Sequence, residues 1–372
     1  MENALLLSDE QVALQDTAAA FVAEFANARK PPEEDAGLWR RIAELGWPAV
    51  QVLEEFGGLG MGAIELALLM EEMGRRLIRA PFFTSVVLAQ TALLEAGNAA
   101  ARERFLPELA SGEVSATLIL APGLVWSPDA IAVECRRDGE GWVMSGEAAQ
   151  VLDDGNAAMA FVVARTDEGF GLFHVSAHAP GVERTPLDVW DLTRPQCAWR
   201  FRDVHLAPDA RVDAAGTLDE GLSRTVALAA LQLAAEQVGG AAACLDMTVS
   251  YTKERVQFGR PVAGFQAVKH RCAEMMVRLE TARSAVRGVA AIVADLGDDA
   301  ESLACEVAVA RVLASDAYRY CAQEAVQLHG GVGFTWEYDP QLHFKRAQWG
   351  SQWLGTANRW RERVASQLLD LA

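Results

Sequence analysis

From about 114 to 212 the sequence carries no stretch of helix-length periodicity, while the segments before and after it carry little else. Apolar residues in this block alternate or stand in short β-rich runs at 117–120, 130–135, 142–144, 160–163, 171–175 and 198–204. Turn signals such as Asp138-Gly139 and Glu168-Gly169 separate them. The block reads as an antiparallel β domain, because a parallel sheet would need crossover helices that are missing. The preceding region reads as five helices. Ser8 and Gln11 match a capping box, and Leu38, Ile42 and Leu45 recur at helical spacing. Further helices are expected over 62–77, 80–95 and 100–112. The last region shows four long helical blocks, near 218–257, 264–296, 301–329 and 341–369, with short connections, the pattern of an up-down bundle. The chain is therefore predicted to be α+β and multidomain. The expected order is an N-terminal all-α domain over 1–113, a middle antiparallel β domain over 114–213 and a C-terminal four-helix bundle over 214–372.

Length and charge narrow the function classes. A chain of 372 residues buries a large core without disulfides or metals. Its 33 basic residues against 51 acidic ones argue against nonspecific binding to nucleic acid or anionic membranes. The six cysteines are scattered, with no metal-ligand spacing, and read as buried thiols of a reducing compartment. The N-terminus has no signal-peptide pattern, and the uncharged stretch 225–235 is shorter than the roughly 18 residues of a membrane span. A soluble, cytoplasmic protein is the expectation. Gly58-Leu59-Gly60-Met61-Gly62-Ala63 fits the dinucleotide fingerprint in letters, but no strand leads into it and no βαβ unit surrounds it, so it reads as a glycine turn before a helix.

Two segments of the bundle carry more. The first holds Tyr251, Arg255, Phe258, Gly259, Phe265 and Gln266; the second holds Gln327, His329, Gly330, Gly331, Gly333 and Phe334. Glycine and proline at such places also stop helices. Together, however, Arg255 with Gly259 and Gln327 with Gly330-Gly331 supply a phosphate clamp. A guanidinium forks onto phosphate oxygens, and paired glycines admit a diphosphate or ribose close to the backbone.

With these motifs and this domain order, the chain resembles an acyl-CoA dehydrogenase. The family's first bundle motif stands here as Tyr251, Arg255, Phe258, Gly259, Phe265 and Gln266. Its second stands as Gln327, Gly330, Gly331, Gly333, Phe334, Glu337 and Tyr338, and an N-terminal one as Glu54/Glu55, Phe56, Gly57, Gly58, Gly60, Glu71, Glu72, Met73 and Gly74. The resemblance implies FAD and Cα–Cβ oxidation of an acyl-CoA thioester. A glutamate takes the α-proton, and hydride passes to the flavin. It also implies that Arg255, Phe258, Gly259, Gln266, Gln327, Gly330, Gly331 and Thr356 are cofactor-binding, the Arg and Gln segments reaching a neighbouring subunit's FAD.

Departures from the family carry the functional expectation. Leu354, within Trp353-Leu354-Gly355-Thr356, occupies the family's catalytic glutamate position; the alternative position, before an arginine, is matched to Ser223. Neither residue is a working base, so no catalytic residue is assigned. The family's flavin-contacting loop is matched by 120–129, which keeps Pro122 and little else. The Trp and hydroxyl that pack the flavin ring are matched by Gln150-Val151-Leu152. The pattern resembles the short bacterial members that serve as non-catalytic partners in α2β2 heteromers, often on steroid or other bulky substrates. The expected partners are an acyl-CoA, a second dehydrogenase-like subunit and an electron-transfer flavoprotein or similar acceptor. The alternatives are a homomeric flavoenzyme with monooxygenase- or desulfinase-like chemistry, or a flavin-free scaffold. Arg224 is expected either to face an acyl-CoA or to pair with Asp219 and Glu220. Trp336, Trp349, Trp353 and Trp360 read as packing residues, and Gly239-Gly240 as a close helix approach at a subunit interface.

Overall fold

The computed structural model describes residues 7–25, 28–29, 37–124, 127–153, 155–214, 216–297 and 299–370. Of the segment matched to the flavin loop, Val125 and Trp126 lie outside them. The N-terminal helices are α1 (Asp9–Phe25), α2 (Leu38–Glu44), α3 (Ala63–Arg75), α4 (Thr91–Ala96) and α5 (Ala99–Ser111). Strands β1 (Ala116–Ile119), β2 (Val133–Asp138), β3 (Gly141–Leu152), β4 (Met159–Thr166), β5 (Gly169–Ser176), β6 (Val182–Pro186) and β7 (Gln196–Leu206) follow. Helix α6 (Leu218–Glu254), the short strands β8 (Val256–Gln257) and β9 (Arg260–Pro261), and helices α7 (Gln266–Ile292), α8 (Ala300–His329), α9 (Pro340–Gly350) and α10 (Ala357–Asp370) complete the chain. The Ser8–Gln11 capping box forms reciprocally: the Gln11 N–H donates to Ser8 Oγ (3.2 Å) and the Ser8 N–H to Gln11 Oε1 (3.0 Å). No strand precedes the Gly58 turn among the described residues. A side chain on Gly58 would strike the Val52 carbonyl, so that glycine serves a tight turn.

The described residues form two compact units. One comprises those within Lys30–Gly62 and Arg79–Ala229, the other those within Met1–Arg29, Ala63–Ile78 and Ala230–Ala372; α6 contributes to both. The sheet belongs to the first unit and runs β1-β4-β2-β3-β7-β6, with β5 on β4. The expected antiparallel domain is in fact a mixed sheet. β2·β3, β3·β7, β4·β5 and β6·β7 are antiparallel, but β1 runs parallel to β4 from Ala116↔Met159 to Ile119↔Val162, and β2 meets β4 in parallel at Glu134↔Arg165. The β2–β3 hairpin lies within the connection from β1 to β4, so no crossover helix is required. The physical reason is visible in burial: all four residues of β1 and the first six of β4 are buried, the continuous apolar pattern of strands covered on both faces. A π-type stretch, Phe83–Gln90, packs on β1, and Ser85 Oγ accepts from the Ala116 N–H (3.3 Å). The single helix expected over 80–95 is therefore this stretch followed by α4. Trp142, Phe173, Trp199 and Phe201 fill the sheet's core, each large buried side chain stabilising by about 1.5–3 kcal/mol.

In the second unit α6 is long and apolar enough to cross a bilayer by length and composition, yet 83% of its most apolar window is buried within the protein. The Gly239-Gly240 pair does mark a close approach, but inside the chain. A Cβ on Gly239 would lie 1.7 Å from the Glu71 carbonyl oxygen of α3, and one on Gly240 2.3 Å from the Tyr318 ring of α8. Gly74 answers from α3, where a Cβ would stand 2.0 Å from the Glu236 carbonyl oxygen. Beside this crossing the buried Glu71 carboxylate accepts from Arg283 (2.9 Å) and Arg287 (3.2 Å) of α7. Buried Glu72, its pKa pushed up by desolvation, accepts from Gln15 of α1 (3.0 Å). The Glu71-Glu72-Met73-Gly74 motif is thus an assembly point for α1, α3, α6 and α7. The fourth helical block of the bundle is broken into α9 and α10, because Leu354 and Gly355 take φ of +58° and +93°, where a right-handed helix cannot continue.

Candidate functional site

Where α6 ends, the Arg255 N–H donates to the Tyr251 carbonyl (2.9 Å) and the Val262 N–H to the Arg255 carbonyl (2.8 Å), closing a small hairpin of β8 and β9. Its two-residue turn is Phe258-Gly259, with φ of +53° and +77°. Two successive positive φ values make the turn that suits a twisted hairpin. Glycine accepts this freely, whereas phenylalanine is strained there by about 1–3 kcal/mol. Among the described residues nothing repays that strain by burial: Phe258 is 90% exposed, touching Phe265 edge-on at 6.1 Å. The Arg260 guanidinium covers Phe265 at 4.0 Å, so the base of the hairpin is firm while its tip stands free. Arg255 is exposed, and so is Gln266, the first residue of α7.

The second motif lies at the end of α8. Gly330 ends the helix with φ +66°, and residues Gly330–Phe334 form a 3-10 turn. His329 stacks on Tyr251 (4.3 Å between centroids, 19° between planes), and Tyr338 packs edge-on against both, at 5.9 and 6.1 Å. Burial pushes the His329 pKa down, and its Nδ1 pairs with the Ala325 carbonyl (2.7 Å), so a neutral ring fills the stack. This aromatic triad brings together the chain ends bearing Arg255 and Gly330-Gly331. The motif residues Tyr251, His329 and Tyr338 are each legible in the sequence; their mutual packing, across about eighty residues, is not.

Gly331 is informative for what it lacks. Its φ is not in the left-handed region, and a Cβ there would meet nothing within 4 Å. Neither its conformation nor the packing of this chain requires glycine, so the bare backbone leaves room for a group from outside. Around it stand exposed Gln327, Phe334 and Trp336, the last with the Lys345 ammonium 4.7 Å from its ring. An exposed guanidinium, an exposed amide, open glycine backbone and free aromatic edges suit the ADP half of a dinucleotide. These residues fit that half of FAD.

The wall matched to the flavin ring does not fit it. Gln150 is exposed, while Val151 and Leu152 are buried at the end of β3, where the Leu152 carbonyl accepts from Thr117 Oγ1 (2.7 Å). The segment offers neither an aromatic plane nor a hydroxyl. The next residue, Asp153, is committed to the domain interior, accepting from Trp199 Nε1 (3.1 Å) and the Gly155 N–H (2.9 Å).

The matched base positions hold no acid. Leu354 is buried in the turn between α9 and α10, its carbonyl accepting from Trp360 Nε1 (2.9 Å). Fully buried Arg311 holds the same turn by donating to the carbonyls of Gly350 and Trp353 (3.0 Å to the latter). Desolvation pushes the Arg311 pKa down to about 10. Thr356 is exposed and caps α10, its hydroxyl accepting from the Arg359 N–H (3.3 Å). Trp349 stacks on Trp353 at 5.3 Å, and these two and Trp360 are buried, whereas Trp336 is surface. Ser223 is half-buried on α6. Arg224 pairs with Glu95 of α4 (Nε–Oε2 2.6 Å), a partner 129 residues away that no local sequence signal marks and that neither expectation named. All six cysteines are free thiols and five are buried; among the described residues no three His, Cys, Asp or Glu side chains are grouped to share a metal ion.

Comparison with known proteins agrees with this architecture. The acyl-CoA dehydrogenase N-terminal domain matches residues 8–113 and the acyl-CoA dehydrogenase C-terminal domain residues 222–369. Acyl-CoA dehydrogenase IpdE2 of Mycolicibacterium smegmatis is 33% identical over 370 residues, covering 97% of this chain and 100% of the relative. Acyl-CoA dehydrogenase FadE34 of Mycobacterium tuberculosis is 32% identical over 97% of this chain but only 48% of its own length. Among solved structures, the ChsE4-ChsE5 complex of Mycobacterium tuberculosis superposes with a TM-score of 0.86 at 26% identity, covering 98% of both chains. A variant of the Tcur3481-Tcur3483 steroid ACAD gives 0.83 at 28% identity, covering 97% of this chain and 98% of that one. The fold, the bundle motifs and these matches along the whole chain have one reading: the protein belongs to the acyl-CoA dehydrogenase family.

Proposed function

We propose that this chain is the non-catalytic subunit of a cytoplasmic, FAD-dependent heteromeric acyl-CoA dehydrogenase, lending its clamp to the FAD of a catalytic partner in an α2β2 assembly. The observation that carries the reading is the contrast between the two halves of its flavin chemistry. Arg255, Phe258, Gln327 and Gly330-Gly331 form an open, exposed clamp, while Leu354 fills the base position and Gln150–Leu152 offers the ring no wall. The strained, solvent-facing Phe258 supports it further, since its ring finds burial only against another molecule. Two structural neighbours are named as pairs of different chains, and FadE34 is about twice as long as this chain, room for two such modules in one polypeptide.

In this reading FAD, when bound, supplies the hydride acceptor for Cα–Cβ oxidation of an acyl-CoA, with a bulky steroid-type acyl group as the substrate class. Arg255 and the Gly330-Gly331 backbone would hold its ADP half, with exposed Phe258 and Gln266 available to contact it. The partner supplies the glutamate and the ring pocket, and an electron-transfer flavoprotein or similar carrier reoxidises the complex. The missing ring wall counts against a homomeric monooxygenase or desulfinase, and the open clamp against a flavin-free scaffold.

The test is to purify the chain alone and together with a dehydrogenase-like genomic neighbour. The expected complex holds one FAD per pair of unlike subunits, and Arg255→Ala lowers FAD retention by about tenfold or more, as loss of a charged phosphate contact does. An active, flavin-loaded homo-oligomer of this chain would refute the proposal.

A further inference from the structure

A cavity of 480 Å³ lies in the second unit, lined by none of the clamp residues. That volume is in the range of small-molecule sites. Its polar walls are Arg29, Arg75, Arg76, Asp246, Asp339 and His343. Two of the three arginines are committed. Arg29 pairs with Asp339 at 2.6 Å, and Arg75 with Asp246 at 2.8 Å and with Glu72 at 3.3 Å. Arg76 has no carboxylate partner among the described residues and is exposed. Arg76 is thus the one guanidinium of this lining that faces no carboxylate among the described residues, in a chain whose formal net charge is −18.

The remaining walls are pre-set. His343 is buried, with Nδ1 taken by the Tyr318 hydroxyl (2.9 Å). Burial pushes its pKa down to about 4, so it faces the cavity as a neutral ring whose Nε2 is the remaining polar atom. Leu77 follows α3 in a left-handed conformation (φ +52°), a place where helices ordinarily put glycine. Its buried side chain, with Leu342 and Met247, gives the cavity an apolar side. Fixed ion pairs, a neutral polar ring, an apolar side and one uncompensated guanidinium describe a site for an amphipathic anion.

We propose that this cavity binds a small organic molecule through a single phosphate or carboxylate group, with Arg76 as its counter-charge. The ion pairs of Arg29 and Arg75 hold the walls in place before the ligand arrives, so little ordering opposes binding. This inference is independent of the subunit role proposed above.

The experiment is calorimetric titration of the full-length protein with inorganic phosphate and, separately, with succinate, at constant ionic strength. Arg76→Gln, Arg76→Lys and Arg255→Ala are run alongside. The expected result is saturable binding of at least one anion, weakened about tenfold or more by Arg76→Gln. Arg76→Lys keeps the charge and restores most of it, and Arg255→Ala leaves it unchanged, which separates this cavity from the FAD clamp. The preferred anion tells a phosphate ligand from a carboxylate one. Because Arg76 is exposed, its variants fold, as an unchanged melting temperature verifies. Absence of saturable binding by either anion overturns the proposal. So does an affinity untouched by Arg76→Gln or lost with Arg255→Ala.

Discussion

Replacing Gly239 by alanine is a sharp test of the packing described for the bundle. In a free helix the change is favourable by about 1 kcal/mol, because alanine loses less backbone entropy. Here the new methyl would stand 1.7 Å from the Glu71 carbonyl oxygen and 2.7 Å from its carbon, whereas ordinary contact begins at 3.4 Å. Both atoms are backbone, so no side chain can swing aside, and a gap of about 1.7 Å has to open between α3 and α6. Overpacking of this kind costs about 1–3 kcal/mol and occasionally more. The same displacement strains the bonds from Arg283 and Arg287 to the Glu71 carboxylate, raising the cost of a buried charge. After subtraction of the propensity gain, a net loss of about 2 kcal/mol is expected, or roughly 4–8 °C in the melting temperature of a cooperative unit of this size. Differential scanning calorimetry reads it. Gly74→Ala acts on the same crossing, so the double variant should lose less than the sum of the two singles. A Gly239→Ala protein that melts at or above the wild type would show that the helices do not meet as described.

Two further outcomes follow from named residues. The folded-state pKa of His343, about 4, lies below the ordinary imidazole value of 6.5, so its neutral form stabilises the fold above pH 6.5 and that contribution is lost as pH falls toward 4. The ceiling is about 3 kcal/mol; melting temperatures between pH 7 and 5 should fall in the wild type and fall less in His343→Gln, and equal slopes would remove His343 as the cause. Phe258→Gly should raise the melting temperature of the isolated chain, by relief of about 1 kcal/mol or more of backbone strain, while lowering FAD retention in the proposed heteromer; a lowered melting temperature would mean that the ring is packed within its own chain.

The parts legible in the sequence are those that local rules decide. The Phe258-Gly259 turn, the glycine stop at Gly330 and the Ser8–Gln11 cap each depend on a few neighbouring residues. The parallel pairing of β1 with β4 does not, since register joins residues about forty positions apart. Its one local trace is the unbroken apolar run of each strand, read only as β-rich. The break between α9 and α10 escaped periodicity because Leu354 adopts a conformation its own propensity opposes, its turn held by distant Arg311 of α8 and by Trp360 of α10. The Gly239-Gly240 pair reads as a close approach at a subunit interface, whereas its partners are α3 and α8 of the same chain. Arg224 met Glu95, and the Arg76 cavity combines four separated segments, so neither leaves any mark at short range.

The open end of the bundle also governs how the solitary chain behaves in solution. Phe258, Phe334 and Trp336 expose their rings beside one another's segments, while a net charge of −18 keeps whole molecules apart. That repulsion is long-ranged and screened within about 8 Å at physiological salt, whereas contact between exposed rings is not weakened by salt. Colloidal stability of the isolated chain should therefore fall as salt is added, and a subunit seated on this end, as proposed above, would hide a sticky surface.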